Sequence, residues 1–422
     1  MPTRYTSDVS GMSTIQQHTY DNGLTLLVEP MPGVQSVGMA MLLPGGTADE
    51  PADQLGLYSV LCEMLHRGAG DRDARAHSEA LDQLGVKRGT DVRTQHVRLD
   101  ASILSERLPT ALPLLFDMIR RPHLSDEGFG PARELALQAI EALEDEPQQK
   151  VMIELKQRHL PEPFGRSSLG RRKDLQQLTA AQVRAGFAER SVSQGAILSL
   201  AGAVDFETTR DQVGELLGDW SGSASEAVES ASAERGTHHV PAESAQQHIG
   251  VAYDALPEND PMSMTQRVGI AVLSGGMSGR LFTEVREKRG LCYAVAAQYA
   301  ATRDRGSVFG YAGTTTQRAA ETLEVMVAEL KRVCDGVDED EFQRAIVGLK
   351  SRVVMQGEST SARANALAND FYVFGRPRAL EEVAAEIDAV SLDGLNQFLD
   401  RNRPDSMTVL NIGSEPLSIP TT

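Results

Sequence analysis

Between Gly56 and His66 the chain reads Gly-Leu-Tyr-Ser-Val-Leu-Cys-Glu-Met-Leu-His. Leu57, Tyr58, Leu61, Met64 and Leu65 recur there at the i, i+1, i+4, i+7, i+8 spacing of one helical stripe. The spacing predicts a helix that buries this stripe and turns Ser59, Cys62, Glu63 and His66 the other way. Before it, residues 24–29 and 37–43 read as strands joined around Pro32-Gly33, and Gly45-Gly46 break the pattern. After it, 96–104 alternates: Val97, Leu99, Ala101 and Ile103 face one way, Arg98, Asp100 and Ser102 the other, as in a half-buried strand. Leu108, Leu112, Leu115, Phe116 and Ile119 set the next helix, and another runs over about 132–144 and stops before Pro147. Helical segments follow through the 150s and over 178–190, then a strand at 196–201 and a helix at 206–220.

Residues 221–245 change character. Ser, Ala, Glu and Gly dominate and no periodicity survives, as in a linker. The pattern then restarts with a strand at 248–253, a helix at 264–273 and a Gly-rich turn at Ser274-Gly275-Gly276. Strands at 293–300 and 307–312, helices through the 320s, 340s and 360s, and a last strand at 407–412 complete it. Leu178, Val183 and Ile197 recur 212 positions later as Val390, Leu395 and Val409. The pattern therefore predicts two similar α+β domains, 1–220 and 246–422, joined by a linker at 221–245.

Composition narrows the function classes. Asp and Glu outnumber Lys and Arg by 59 to 41 over 422 residues, a formal charge of −18, which disfavours nucleic acid and anionic membranes and favours basic or neutral partners. Cys62, Cys292 and Cys334 are too few and too scattered for a disulfide framework or a closed metal site. Reduced thiols, a polar first 17 residues without the apolar core of a secretory signal, and no run of membrane-spanning length lead us to expect a cytoplasmic protein. His96 opens a strand and His238-His239 falls in the linker, so these read as surface or satisfied histidines.

A zinc hydrolase helix needs two imidazoles one turn apart and a carboxylate to take a proton from the bound water. On the polar face of 56–66 the matching positions hold a hydroxyl, a thiol and a carboxylate. Other stretches carry a resemblance: Asn22-Gly23-Leu24, Gly45-Gly46, Phe164-Gly165 with Leu169-Gly170, Ala201-Gly202, and Ser359-Thr360-Ser361-Ala362-Arg363-Ala364. The most specific is Gly275-Gly276-Met277-Ser278-Gly279-Arg280-Leu281-Phe282, running into Glu284-Val285-Arg286-Glu287-Lys288-Arg289-Gly290-Leu291-Cys292-Tyr293. Over nearly its whole length the chain resembles the insulinase and pitrilysin family of peptidases, in its short bacterial and mitochondrial-processing-peptidase branch.

The resemblance implies two homologous domains, each a mostly antiparallel sheet with helices packed on one face, closing as a clamshell over a chamber. The family's inverted His-x-x-Glu-His motif falls on Ser59, Cys62 and Glu63, and its distal glutamate ligand near Gln138-Ala139. Glu63 and His66 alone lack a third ligand, and Glu141 and Glu144 would serve only after a shift of helix register. Arg286 and Tyr293 match the family's pair that holds substrate carbonyls and donates to the oxyanion. The alternative for Arg286 is a basic last turn with Lys288 and Arg289, suited to a helix C-terminus. The expectation is a zinc-less subunit, inactive alone, that binds extended peptides and completes the zinc site of a homologous partner, as a heterodimer or self-dimer. The alternative is an inactive structural or peptide-binding homologue, like core subunits of the respiratory cytochrome complex.

Overall fold

The computed structural model describes residues 15–223 and 230–418. Most of the polar N-terminal lead, and 224–229 of the expected linker, lie outside those residues. Two compact units emerge. The first comprises the N-terminal segment through Glu141, Arg166–Ser230 and Gln356–Ala379; the second comprises Ala142–Gly165, Ala231–Met355 and the C-terminal segment from Leu380.

The first half of the chain forms strands β1 (Gln16–Thr19), β2 (Thr25–Pro30), β3 (Ser36–Pro44), β4 (Lys87–Val92), β5 (His96–Leu104) and β6 (Ile197–Gly202). Its helices are α1 (Leu57–Met64), α2 (Ala74–Gln83), α3 (Leu108–Arg120), α4 (Asp126–Ala142), α5 (Pro147–His159), α6 (Arg172–Gln177), α7 (Ala180–Arg190) and α8 (Phe206–Leu217). The second half forms β7 (Thr237–Pro241), β8 (Gln246–Ala255), β9 (Cys292–Ala301), β10 (Gly306–Thr315) and β11 (Thr408–Gly413), with α9 (Ser263–Ser274), α10 (Ala319–Arg332), α11 (Glu339–Gly357), α12 (Thr360–Phe374), α13 (Leu380–Asp388) and α14 (Leu392–Arg401). Among the described residues, no helix is long and apolar enough to cross a membrane.

The first unit's sheet runs β1-β2-β6-β3-β5-β4, antiparallel throughout except where β2 meets β6. Alternation in β5 comes out as read: Val97, Leu99, Ala101 and Ile103 are buried, and the residues between them are half-buried. β3 is buried along nearly its whole length, because both faces of the sheet are covered. One face joins α1, α3 and α8 through Met41, Met64, Leu99, Leu112, Leu115 and Val213. The other carries α12, whose Ala364, Leu367 and Ala368 meet Leu27, Ala40, Leu42 and Ile197. A Cβ at Gly38 would stand 2.4 Å from the Thr360 backbone, so glycine sets how closely α12 lies on β3. Buried Arg363 on α12 pairs with buried Glu29 on β2.

In the second unit the order is β7-β11-β8-β10-β9, again with a single parallel pair, β7 with β11. Its main core gathers Val251, Leu273, Val308, Leu323, Leu395 and Leu399. Across the sheet, α5 sets Val151 and Leu155 on Ala252, Phe309, Leu410 and Ile412. Buried His159 ends α5, its Nδ1 3.0 Å from the Thr408 hydroxyl and its Nε2 3.4 Å from the Asp254 carboxylate. Arg235 holds that carboxylate through two bonds of 2.6 and 2.7 Å.

The sheets confirm the repeat and extend it. Thr25 pairs with Ile197 in the first, and Thr237 with Val409 in the second, the same 212-residue offset on both strands. β7 is thus the second copy of β2, inside the stretch read as linker. Its five residues, Thr-His-His-Val-Pro, are too short and polar to show a period beside the Ser- and Glu-rich run before them. His238 and His239 accordingly lie on a strand rather than in a linker, each ring Nε2 against a carbonyl, of Glu234 at 2.8 Å and of Gly413 at 2.9 Å. α5 and α12 also stand at matching places in the two halves, yet each packs in the unit built mainly from the other half.

Candidate functional site

Gly56, at φ +104°, starts α1 in the left-handed region, where a Cβ would also strike the Leu175 side chain at 2.7 Å. The carboxylate of buried Glu50 accepts from the Gly56 N–H at 3.1 Å and the Tyr58 N–H at 3.0 Å, capping two orphan donors of the first turn. Burial pushes the Glu50 carboxyl up to about 7, against the pull of those two bonds.

The polar face of α1 is narrower than the stripe implies. Ser59 and Glu63 are half-buried, as is His66 just beyond the helix, but Cys62 joins the core. Cys62 lies four residues after Tyr58 and three before Leu65, so the buried arc takes it in. Burial, then Asp91, pushes its thiol up to about 12, and it stays protonated, unlike a metal-binding thiolate. Below it, Thr90 donates its hydroxyl proton to the Cys62 carbonyl at 3.1 Å. With that proton committed, Thr90 accepts from His66 Nε2–H at 3.0 Å. Burial draws the His66 imidazole down to about 4, so it is neutral.

Gln138 and Ala139 are exposed on α4. Glu141 is held by Arg172 at 2.9 Å and Glu144 by Lys150. Among the described residues, no group of three or more His, Cys, Asp or Glu side chains is placed to hold a metal ion. A hydroxyl, a buried thiol, one carboxylate and a methyl side chain do not make the donor set that zinc requires.

In the second unit, the Arg286 segment is wound as a π-helix, Phe282–Glu287, which leads through Gly290 into β9. Glu284 binds Lys288 at 2.7 Å and Arg289 at 2.7 Å, and these two cations hold its carboxyl down to about 2. Lys288 and Arg289 thus share the single carboxylate of Glu284. Arg286 is exposed, stacks 4.9 Å from the Phe282 ring centre, and stands in no ion pair among the described residues. Its charge reaches Cys292, the neighbour of Tyr293, and pulls that thiol down, although burial pushes it up to about 11. Arg286 lies in the last turn of this helix, as the alternative reading has it, with its guanidinium over Phe282 of the same helix.

Tyr293 occupies a break in the ladder. Gly313 pairs with Ala294 and Thr314 with Cys292, so Tyr293 is the extra residue of a β-bulge, a device that re-aims a side chain. It is 44% exposed on the edge strand, and its hydroxyl donates to Gln246 Oε1 at 2.8 Å. Gln246, the first residue of β8, carries no signal of its own in the sequence. The bulge and this contact depend on cross-strand register.

The insulinase model of peptidase family M16 matches residues 25–170, and the model of the peptidase M16 inactive domain matches 177–349. An uncharacterized zinc protease of Bacillus subtilis is 25% identical over 391 residues, covering 90% of this chain and 94% of that protein. Another, from Streptomyces coelicolor, is 26% identical over 394 residues, covering 91% and 86%. Among solved structures, a peptidase M16 inactive domain from Pseudomonas fluorescens aligns with a TM-score of 0.86 at 19% identity, covering 97% of this chain and all of that one. A chain of complex III2 from Candida albicans, Inz-5 bound, aligns with a TM-score of 0.81 at 15% identity, covering 94% and 95%. The structural likenesses carry the fold, and the two family models, laid end to end over both halves, carry the descent: this chain belongs to the insulinase family of peptidases, M16.

Proposed function

We propose that the chain is the zinc-less subunit of a two-subunit metallopeptidase, binding extended peptides and lending Arg286 and Tyr293 to the zinc site of a homologous partner. One observation carries this reading. An exposed guanidinium without an ion pair on the π-helix is followed, seven residues on, by a re-aimed tyrosine on the edge strand β9, in a chain whose own α1 offers no complete set of metal ligands among the described residues. The planar fork of Arg286 suits peptide carbonyls, and the Tyr293 phenol suits the oxygen on which charge develops during hydrolysis. Activation of the attacking water is left to the partner. The free edge of β9 would pair with the peptide main chain, a mode that tolerates many sequences, and the charge of −18 favours basic ones. A second copy of this chain would bring no further zinc ligands, so a heterodimer fits better. A cytoplasmic setting belongs to the same proposal, supported by three free, buried thiols.

The second reading, an inactive structural or peptide-binding protein, draws on the likeness to the complex III chain. Co-expression with a homologue that has an intact His-x-x-Glu-His motif separates the two. The first reading predicts chelator-sensitive peptide cleavage by the pair and none by this chain alone. Stable assembly without any gain in cleavage would favour the second.

A further inference from the structure

Tyr293 is not alone at the bulge. The hydroxyl of Tyr311, on the neighbouring strand β10, comes close to it over Gly313. A Cβ on Gly313 would stand 2.5 Å from the Tyr293 hydroxyl oxygen and 2.7 Å from that of Tyr311, so only glycine leaves the two phenols room to meet. Behind Tyr311, His248 of β8 places its Nδ1 2.9 Å from the Tyr311 oxygen. Exposure falls along this line, from 44% at Tyr293 to 5% at Tyr311 and 4% at His248. One end is accessible and the other is fixed in the fold.

Counting protons gives the line a direction. Tyr293 has a single hydroxyl proton and spends it on Gln246 Oε1; a bond between the two phenols therefore has Tyr311 as its donor. In that arrangement the Tyr311 proton is spent as well, and His248 is the donor of the 2.9 Å contact, from Nδ1–H. Burial pulls the His248 imidazole down from its usual range, which suits a neutral ring carrying its proton on Nδ1.

We propose that His248 and Tyr311 are positioning residues for Tyr293: a one-way donor chain, His248 to Tyr311 to Tyr293, holds the Tyr293 hydroxyl on the open side of the bulge and strengthens it as a donor. A hydroxyl whose oxygen accepts a hydrogen bond is polarised and gives its own proton more strongly. An arriving anionic oxygen would take the place of Gln246 as acceptor. This rests on the reading of Tyr293 as an oxyanion donor given above.

The test uses the full-length chain labelled with [ζ-13C]tyrosine and [15N]histidine and read by NMR, with Tyr293→Phe and His248→Gln assigning the two signals. The chain predicts a protonated, pyrrole-type Nδ1 at His248, and a Tyr293 Cζ resonance that moves in both Tyr311→Phe and His248→Gln. In the pair assembled with a zinc-bearing homologue, Tyr311→Phe should lower kcat roughly tenfold with KM unchanged, less than removal of the donor itself. A Tyr293 signal unmoved in Tyr311→Phe, or a pyridine-type Nδ1 at His248, would overturn the chain; should Tyr311→Phe fail to fold, the His248→Gln spectrum alone decides. If the signals move as stated while Tyr293→Phe leaves turnover intact, the donor chain stands and the oxyanion reading beneath it falls.

Discussion

The two units share a plan and differ in what they leave uncommitted. Apart from the additional edge strand β1, strand order repeats, with a 212-residue offset at the one parallel pairing of each sheet, and each sheet carries a helix from the other half of the chain on its second face. Chemically they diverge. Around α1 the polar groups do not converge: the Cys62 thiol is in the core, His66 is spent on Thr90, Gln138 is exposed on α4, and Glu63 belongs to no group of three or more metal-ligating side chains among the described residues. At the start of β9, Glu284 takes up Lys288 and Arg289, and Arg286 is left over. The opposite edge strand in the first unit, β4, is a regular ladder with no register shift to re-aim a residue. Duplication preserves which strand meets which, because pairing is set by buried pattern. Whether a side chain remains available for chemistry depends on who its neighbours bind, and that can drift freely in each copy.

Breaking the second-face helices probes the shared plan. Arg363→Met removes the cation facing Glu29 beneath α12 and should cost about 3 kcal/mol of stability, the scale for uncovering one member of a buried pair. A urea midpoint unchanged by this substitution would mean that α12 is seated by its apolar contacts alone.

Arg286→Lys sharpens the chemical contrast. Charge is kept and the fork is lost, so in the assembled pair KM should rise roughly tenfold with a smaller change in kcat. A fall in kcat with KM unchanged would instead place Arg286 in the transition state.

The smallest effect is with pH. Burial holds the imidazoles of His66, His96 and His159 down at about 4, against an ordinary value of 6.5. Between these values the unfolded chain binds protons that the folded chain refuses. This stability is therefore fully present above about pH 6.5 and is lost as pH falls toward about 4. Glu50, raised to about 7, acts in the opposite sense between 4.5 and 7 and offsets part of the loss. The urea midpoint should fall between pH 7 and pH 5; a midpoint that rises would show the carboxyl to outweigh the three imidazoles.

Much of the plan was legible because burial writes periods into the chain. The alternation in β5, the stripe of α1 and the recurrence of Leu178, Val183 and Ile197 all come from positions that must face a core. Applied to β2, the same offset would have found β7 within the apparent linker. β4 and α2 escaped for a related reason: Lys-Arg-Gly-Thr-Asp-Val is a polar edge, and α2 buries only His77 and Leu81. Period says that a helix has an apolar face but not which sheet that face covers, so the exchange of α5 and α12 was invisible. At the site, Arg286 and Tyr293 were readable from their flanking run. The bulge, Gln246, and the Tyr311 and His248 pair were not, since they arise from register between strands some 20 to 60 positions apart in sequence.

The central claim is that this chain supplies the oxyanion donor of a shared active site. Tyr293→Phe, assayed in the complex with a zinc-bearing partner after assembly is verified, removes one hydroxyl from an exposed position and leaves the ring in place. Peptide turnover should fall by roughly 100-fold or more, the scale of one lost oxyanion donor, with the unfolding midpoint nearly unchanged. Turnover equal to that of the unmodified pair would contradict the claim.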